Sequence, residues 1–483
     1  MHKFDGRGVF LSLILLGIVM PSVALVPVAV ALVAQGILGT LNLAAAFSRR
    51  DGGPVIPGHA GQAPIRFSVH LAIHEEPPAV VGRTLQALAD QVGAPDYEVI
   101  VLDNNTADPA LWRPVEVLCA KLGPAFRFYH EDGVEGAKAG ALNIALGRTH
   151  RAASHVIVVD ADYVVEPDFL AIAARELRSG GEDFLQFPQA YRNDAGPVAG
   201  LSLELADYFL RHARKAEVAG AMLLTGTLSV IGRRALEQAG GWSGRTITED
   251  AELGLRLRRL GFRGRFVDRP VGRGILPLDL AGLSQQRYRW AAGNLDTIRC
   301  GFSGLSPRTA VQVFSQLAAW NNLALPLAAG LIGGVLAMLA GRAPGAALWL
   351  TTLSGLGLAM VYLSVCLPLV LVAAVRGQSD VATVLGALAS RVTMILPSAI
   401  GTVDAFLNRS GAFRRTAKDA SEACDEVGPV LPLLAAFGAV GLLVAPQLSP
   451  GGVVGLVLLI LPYPLALGTG LRLSEYRRSL GIA

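Results

Sequence analysis

Two carboxylates stand one residue apart, directly after a β-branched apolar run, in the sequence HVIVVDADYVVEP. They belong to Asp160 and Asp162, and like charges at this spacing repel unless a positive group lies between them. Carboxylate oxygens suit Mg²⁺ or Mn²⁺, which bind proteins through one or two carboxylates plus substrate phosphates. The pattern predicts a site for a divalent cation and a diphosphate, and a solvated turn at a strand end is the alternative.

Two further acidic positions also have two interpretations. Asp103, at the end of YEVIVLD, is either a turn residue or a hydrogen-bond acceptor for a nucleotide base or ribose. Asp250 follows Thr248 and Glu249 at the start of an amphipathic helix, AELGLRLRRLGF. Helix capping and the helix dipole explain these three residues. The chemical alternative is that Asp250 is a general base for an acceptor hydroxyl.

Basic and aromatic side chains complete the set. Lys138 begins a helix in GVEGAKAGALN, where a phosphate would meet both its charge and the helix N-terminus. The P-loop pattern GxxxxGK[ST] is absent, and a solvated lysine is the alternative. Gln286, Arg289 and Trp290 share one helix turn in QQRYRW. They either anchor the chain at a membrane surface or line a pocket, with Arg289 on a diphosphate and Trp290 against a sugar ring.

Alternating strands and helices position these residues. Strands are predicted in FSVHLAI, YEVIVLD, FRFYH and HVIVV, and helices in VVGRTLQALADQV and GAKAGALNIALGRT. This alternation predicts a Rossmann-like α/β domain with a mostly parallel sheet, whose ligands bind outside the carboxyl ends of the strands. Three such strand ends carry polar residues: the first is followed by His74 and Glu75, the second ends at Asp103, and the third is followed by Asp160. His74 and Glu75 are therefore either surface residues or part of a nucleotide pocket.

The composition requires a second kind of structure. Of 483 residues, 52% are hydrophobic and 17% charged, whereas about a quarter of the residues are charged in soluble domains. Several uncharged stretches are near or above the ~20 residues that span a bilayer; they are residues 9–47, 309–341, 348–375, 428–446 and 453–470. The four cysteines form no CxxC pair, which suits a reducing cytoplasmic face. No basic block with interleaved aromatics indicates a nucleic-acid partner.

Charged flanks then divide the chain into regions. Residues 1–50 form either one long span or a hairpin, which basic residues on both flanks favour. Residues 64–308 are the cytosolic α/β domain. Residues 309–376 and 428–471 are predicted transmembrane hairpins, and residues 472–483 a cytosolic tail. Residues 379–420 carry internal charges and basic ends, which favours amphipathic interfacial helices over an ordinary span.

The motifs in order resemble the D, DxD, TED and QxxRW series of membrane-embedded family 2 glycosyltransferases, which include the bacterial cellulose synthase catalytic subunit. The sequences VLDNNT, GAKAGALN and ITEDAELGLRLRRLGF are most similar to the bacterial branch that makes β-glucans, including β-1,3-glucan synthases. The segment GAFRRTAK, residues 411–418, is similar to the gating-loop segment FxVTxK, with Arg in place of the hydrophobic residue.

The resemblance implies a GT-A catalytic domain on the cytoplasmic face of a bacterial inner membrane, in a multi-pass protein with its own channel. It implies that Asp250 is the catalytic base and that Asp160 and Asp162 hold the metal, Mg²⁺ or Mn²⁺. The residues expected to bind substrate are His74, Glu75, Asp103, Lys138, Asp160, Gln189, Thr227, Glu249, Gln286, Arg289 and Trp290. No cyclic-di-GMP module follows the membrane part, so regulation by that nucleotide is not expected.

The predicted function is an inverting, metal-dependent, processive β-glycosyltransferase that polymerises glucose from UDP-glucose and passes the β-glucan through its channel. A non-processive enzyme that adds one sugar to a lipid is the alternative, because ceramide glucosyltransferases have a similar acid series. A transporter or scaffold with a degenerate nucleotide domain is a third interpretation, against which the intact acid series argues. The expected partners are a nucleotide-sugar donor, a glucan or lipid acceptor and the bilayer, and a periplasmic or export partner is left open.

Overall fold

The computed structural model describes residues 6–47, 64–192, 195–375, 377, 380–409 and 427–480. Ten strands run through these residues in two sheets. The strands are β1 Phe67–Ile73, β2 Tyr97–Asn104, β3 Phe126–Glu131, β4 His155–Val158, β5 Val164–Val165, β6 Phe184–Gln186, β7 Ala190–Tyr191, β8 Ser229–Gly232, β9 Gly264–Phe266 and β10 Gly272–Gly274.

Helices surround the sheets and make up most of the described residues before β1 and after β10. They are α1 Gly6–Val19, α2 Pro21–Ala46, α3 Pro78–Ala89, α4 Pro109–Leu122, α5 Ala137–Arg148, α6 Phe169–Ser179, α7 Ala199–Tyr208, α8 Arg214–Val218, α9 Arg233–Gln238, α10 Glu249–Arg259, α11 Leu280–Ile298, α12 Pro307–Leu317, α13 Ala324–Leu339, α14 Pro344–Val375, α15 Val381–Thr393, α16 Ile395–Phe406, α17 Val430–Gly441, α18 Pro450–Ile460 and α19 Pro462–Ser479.

The large sheet has the order β3-β2-β1-β4-β8-β6-β9. Strands β3, β2, β1 and β4 are parallel neighbours, and β8 runs antiparallel between β4 and β6. The small sheet has the order β5-β10-β7. The predicted mostly parallel α/β sheet is therefore confirmed. The chain leaves β1 for β2 on one side and later returns to β4 on the other, so the crevice between β1 and β4 lies where ligands bind in such sheets.

Helices cover both faces of this sheet. Val81, Leu85 and Leu88 of α3 have no exposed surface and pack in one core with α4, α6 and one face of β1. Leu142 of α5 and Leu253 of α10 pack in a second core on the other face. Because both faces of the sheet are covered by helices, the strand sequences are continuous apolar runs.

Within the described residues, five helical segments are long and apolar enough to cross a membrane by length and composition. They are Pro21–Ala46, Pro344–Val375, Val381–Phe406, Val430–Gln447 and Pro450–Ser479. The N-terminal stretch divides at Met20 into α1 and α2, and α1 packs on α13. In the region predicted as the first hairpin, α13 and α14 lie antiparallel around a turn at Gly341 after the separate short helix α12.

Helices α15 and α16 pack on α7 and α11 of the α/β domain. Both charged residues inside this pair have partners there, because Arg391 binds Asp207 and Asp404 accepts from the Tyr288 hydroxyl at 2.9 Å. The interfacial placement of this segment stays a prediction, because the segment is also long and apolar enough to span a membrane. Residues 472–479, predicted as part of a tail, continue α19. The gating-loop-like segment, residues 411–418, lies outside the described residues.

Candidate active site

A cavity of about 420 Å³, here called the main cavity, lies at the carboxyl edge of β1, β2 and β4. Most of the residues predicted for the site line it; they are His74, Lys138, Asp160, Asp162, Gln189, Glu249, Asp250, Gln286, Arg289 and Trp290. Glu75, Asp103 and Thr227 are not among its lining residues. The structure thus brings three of the four motifs, DxD, TED and QxxRW, together with His74 and Lys138 from across more than 200 residues of sequence.

The positive group beside the acidic pair is Lys138. Its Nζ lies 2.5 Å from Oδ1 of Asp160, and the lysine is the second residue of α5. Burial lowers the pKa of Lys138, but Asp160 and Glu249 outweigh burial and raise it overall, so the ammonium keeps its charge. The solvated-lysine interpretation therefore does not describe the structure.

Backbone contacts fix the acidic pair from behind. The backbone N–H of Asp160 donates to the Thr227 hydroxyl at 3.0 Å, and Thr227 is 1% exposed. Asp162 is 3% exposed, and its Oδ2 accepts from the backbone N–H of Ile275 at 3.1 Å. Thr227, expected to bind substrate, instead lies one layer deeper and positions Asp160.

Asp250 stands at the first turn of α10. The helix begins at Glu249 after Thr248, as the capping interpretation expects, but the Thr248 hydroxyl makes no capping hydrogen bond. Burial and the neighbouring charge of Glu249 raise the pKa of Asp250 to about 7. A carboxylate with this pKa is balanced between accepting and releasing a proton near neutral pH, which is what a general base requires.

Gln286, Arg289 and Trp290 project from α11 into the main cavity. Burial lowers the pKa of Arg289, whereas the charges of Glu249 and Asp160 oppose the shift. The Oε1 atom of Gln286 is buried and has no hydrogen-bond partner among the described residues. A buried amide oxygen without a partner is unfavourable, so this atom is available to a polar ligand.

Asp103 lies under the cavity wall rather than in it. Its side chain is 1% exposed, and it accepts hydrogen bonds from Thr106 Oγ1 and His130 Nδ1, both at 2.6 Å. Burial raises the pKa of Asp103, and these two bonds oppose that shift. The neighbouring Asn104 and Asn105 line the cavity in its place.

His74 lines the cavity, and its Nδ1 donates to the Asn104 carbonyl at 2.6 Å. Glu75 has φ +57°, in the left-handed region, and its side chain is 48% exposed. This turn brings the next residue, Glu76, to the cavity wall. Of the two adjacent glutamates, the structure therefore places Glu76 at the site that sequence analysis gave to Glu75.

A smaller aromatic pocket of about 60 Å³, here called the side pocket, adjoins the main cavity. Tyr208, Phe209, Trp290 and Trp320 contribute rings to its lining. The residues that line both spaces are Gln189, Thr225, Thr248, Asp250 and Trp290. Asp250 therefore stands at the boundary between a charged cavity and an aromatic pocket.

A buried ion network holds α11 against its neighbours. Arg287 binds Glu204 through two hydrogen bonds of 2.9 and 2.7 Å, and Arg391 Nε lies 2.6 Å from the same carboxylate. Asp207 accepts from Arg391 at 2.8 Å and also pairs with Arg211. All five side chains are at most 6% exposed, and buried charges are tolerated when they are paired in this way.

Trp320 rests on this network. The guanidinium carbon of Arg287 lies 4.1 Å from the centre of the Trp320 ring, within the range of a cation–π contact. Trp320 in turn lies 5.1 Å from Trp290 and stacks on Tyr208 at 5.8 Å. The network thus fixes the aromatic wall of the side pocket, and sequence analysis missed it because neither Arg287 nor Trp320 carries a motif position.

The side-chain oxygens that line the main cavity are of the kind that bind a divalent cation. Among the described residues, the lining carries five carboxylates and two cationic side chains; the carboxylates are Glu76, Asp160, Asp162, Glu249 and Asp250, and the cations Lys138 and Arg289. A diphosphate would enter this acidic space favourably only with an added cation. No cluster of three or more His, Cys, Asp or Glu in the described part of the chain forms a metal site, so Asp160 and Asp162 would share a cation with the ligand's phosphates.

Two family models match the chain. The model described as glycosyl transferase family 2 matches residues 68–240, and the model described as glycosyl transferase family group 2 matches residues 155–375. Together they include the acidic pair, Asp250, the α11 residues and helices α12 to α14.

Two curated proteins are similar to part of the chain. A probable glucomannan 4-beta-mannosyltransferase of Arabidopsis thaliana is 29% identical over 211 residues, which is 42% of this chain and 39% of that protein. The beta-monoglucosyldiacylglycerol synthase of Synechocystis is 30% identical over 248 residues, which is 50% of each chain. The chain thus spans about half the length, or less, of these relatives.

The fold also has a solved counterpart. A mannosyltransferase from Pyrobaculum calidifontis, in complex with GDP-Man and Mn²⁺, superposes with a TM-score of 0.52 and 19% identity. The likeness covers 79% of this chain and 99% of that one. At this identity it shows the fold, which is the GT-A type expected from the sequence.

Proposed function

We propose, on the premise that this chain carries a glycosyltransferase family 2 domain, that it transfers a sugar from a nucleotide-sugar donor to an acceptor beside the membrane helices. One observation carries the proposal: Asp250 lies between the charged main cavity and the aromatic side pocket. A donor diphosphate suits the first space, an acceptor sugar would stack on the aromatic rings where the second, smaller space opens to the first, and the base stands where the two would meet.

On the donor side, several groups favour a diphosphate. Ala137 and Lys138 form the first turn of α5, where backbone N–H groups and the lysine charge attract phosphate. Arg289 adds a planar guanidinium that binds two phosphate oxygens at once. Bound Mg²⁺ or Mn²⁺, held by Asp160 and Asp162, would neutralise charge on the departing diphosphate. Gln286 Oε1 and Thr225 Oγ1 are buried and have no hydrogen-bond partner in the described part of the chain, so they are suited to sugar hydroxyls.

On the acceptor side, Asp250 takes the proton of the acceptor hydroxyl. The freed oxygen forms a bond to C1 of the donor sugar, and the bond from C1 to the phosphate oxygen breaks. The nucleoside diphosphate leaves with that electron pair near Lys138 and Arg289. Because the attack and the departure occur on opposite faces in a single displacement, the configuration at C1 inverts.

The aromatic side pocket favours a glycan as the acceptor, because flat apolar rings such as those of Trp290 and Trp320 pack well on sugar rings. A glycan acceptor supports a processive β-glycosyltransferase that elongates a polymer, with UDP-glucose as the first donor to test. The relative named as a glucomannan mannosyltransferase also acts, by its name, on a polymer. The apolar helices would place this enzyme in the bacterial inner membrane with its domain in the cytoplasm.

A second function follows from the other relative, which is named as a synthase of a glucosylated diacylglycerol. In that case a lipid acceptor would reach the side pocket from the bilayer, and each acceptor would receive one sugar. The catalytic residues would be the same. The two functions differ in the acceptor and therefore in the product.

The test uses the full chain in lipid nanodiscs with UDP-glucose, GDP-mannose and UDP-N-acetylglucosamine, each with Mn²⁺, with Mg²⁺ and with EDTA. Nucleotide release identifies the donor, and sizing plus linkage-specific glucanase digestion of the product separates a polymer from a glycolipid. Asp250→Asn should abolish release above background, whereas Asp96→Asn, a carboxylate 85% exposed, should not. Full transfer by Asp250→Asn would contradict both functions.

A further inference from the structure

Tyr476, near the end of α19, contacts the α/β domain 200 residues away in sequence. Its side chain is 1% exposed and packs in one apolar cluster with Leu276 and Leu278. The Tyr476 hydroxyl accepts from the backbone N–H of Leu276 at 3.3 Å and donates to the carbonyl of Arg192 at 3.1 Å. Arg477 adds a bond to the Leu278 carbonyl at 2.9 Å.

Both partners of this hydroxyl belong to segments that hold Asp162. Ile275, next to Leu276, donates its backbone N–H to Oδ2 of Asp162 at 3.1 Å. Arg192 donates its Nη2 to the Asp162 carbonyl at 2.9 Å. One hydroxyl therefore bonds two chain segments, and each of them makes a direct contact with the same carboxylate residue.

The segment from Ile275 to Pro277 also forms part of the main cavity wall. Its position determines where Asp162 lies relative to Asp160 and Lys138. A phenylalanine in place of Tyr476 would fill the same apolar space but leave the Leu276 N–H and the Arg192 carbonyl without this partner. Buried backbone groups deprived of a partner shift toward new ones.

We propose that Tyr476 is a positioning residue that joins the C-terminal apolar helix to the diphosphate–cation edge of the main cavity through Asp162. The inference rests on the proposed function, because it concerns the same site. It assigns α19 a role in donor binding: movement of this helix relative to the domain changes the position of Asp162, and donor binding fixes the helix.

The test measures UDP and GDP binding to the full chain in nanodiscs by titration calorimetry, once with Mn²⁺ and once with EDTA. Tyr476→Phe removes both hydrogen bonds of the hydroxyl, and it should weaken binding with Mn²⁺ about threefold to tenfold and leave binding in EDTA unchanged. A general loss of packing would weaken both. The matched control is Tyr362→Phe, whose hydroxyl bonds the Leu458 carbonyl at 2.7 Å among the apolar helices, and it should change neither.

Equal losses with Mn²⁺ and with EDTA, or no loss in either, would overturn the proposal. So would a wild-type protein that binds nucleotide equally in both conditions, because Asp162 would then have no cation to share. A wild-type protein that binds no nucleotide overturns the proposed function itself, which is a different result. If Tyr476→Phe does not fold, Arg477→Gln removes the adjacent bond to Leu278 and should give the same selective loss.

Discussion

Lys138 forms an ion pair with Asp160, in which the lysine Nζ lies 2.5 Å from Oδ1 of the aspartate. The ammonium charge reduces the repulsion between Asp160 and Asp162, because it neutralises one of the two carboxylates before any ligand binds. The same charge repels a free divalent cation. A diphosphate that attracts the lysine to its own oxygens would release Asp160 to the cation.

This relationship predicts an order of binding. Lys138→Met should raise the affinity for Mn²⁺ alone about tenfold or more, while lowering the affinity for UDP and GDP. Electron paramagnetic resonance of free Mn²⁺ in a titration measures the first, and calorimetry the second. Lys121→Met, at an exposed position in the last turn of α4, is the control. Unchanged Mn²⁺ binding by Lys138→Met would show that the ion pair does not compete with the cation.

Asp250 should give the reaction a pH dependence. Since burial and Glu249 raise its pKa to about 7, the carboxylate is protonated below that value and cannot accept a proton. We expect kcat/KM to fall about tenfold for each pH unit below 7. Initial rates between pH 5.5 and 8.5 at saturating Mn²⁺ measure this limb. A rate that stays flat down to pH 5.5 would exclude Asp250 as the base.

The same shift has a consequence for stability. In the unfolded chain Asp250 ionises near its ordinary pKa, so between that value and about 7 the folded protein holds a proton that the unfolded chain releases. Stability from this group is therefore lost as the pH rises through this window, and the loss is complete above about pH 7. Asp250→Asn removes the loss, so its unfolding temperature should exceed that of the wild type more at pH 8 than at pH 5.5. An equal difference at both pH values would contradict the shift.

Gly226 should be required beside this carboxylate. Its φ is +88°, and a Cβ there would lie 3.1 Å from Oδ2 of Asp250. Gly226→Ala should cost about 1–2 kcal/mol of stability from the left-handed backbone and lower the transfer rate by displacing the base. Gly220→Ala shares the positive φ, +60°, but its Cβ would meet nothing within 4 Å. Initial transfer rates of the two variants test this prediction. Equal rates would show that the contact with Asp250 does not affect catalysis.

The ion network should dominate the stability of the interface between the domain and the helices. Arg287→Ala leaves the buried carboxylate of Glu204 with one arginine fewer and should cost about 3–5 kcal/mol. Arg269→Ala breaks an ion pair with Asp168 in which both side chains are about half exposed, and should cost less than about 1 kcal/mol. Unfolding temperatures of the two variants in the same detergent test the contrast. A similar small cost for both would mean that the network is redundant.

Much of this arrangement follows from local sequence. Apolar runs that end in acidic residues place Asp160 and its neighbours at one sheet edge, because parallel strands share their carboxyl ends. The helix start before Asp250 and the helix turn of Gln286 and Arg289 also follow from local patterns. These features depend on residues a few positions apart, so a single sequence shows them.

The remainder depends on contacts that no local pattern contains. The choice between Glu75 and Glu76 is made by the positive φ of Glu75, which a pair of identical residues does not reveal. Asp103 is covered by His130, from a different strand. Tyr476 meets Leu276 across 200 residues, and such long-range partners are set by tertiary packing alone.

The pairing of Glu204 with Arg391 also imposes a delay on folding during protein synthesis. The two residues stand 187 positions apart, so at about 5–20 residues per second the ribosome needs roughly 10–40 s between them. During that interval the carboxylates of Glu204 and Asp207 lack the arginine that completes their burial. The α/β domain therefore matures only after α15 has been synthesised and docked, and chains that stop before Arg391 should be recognised as unfinished by cellular proteases.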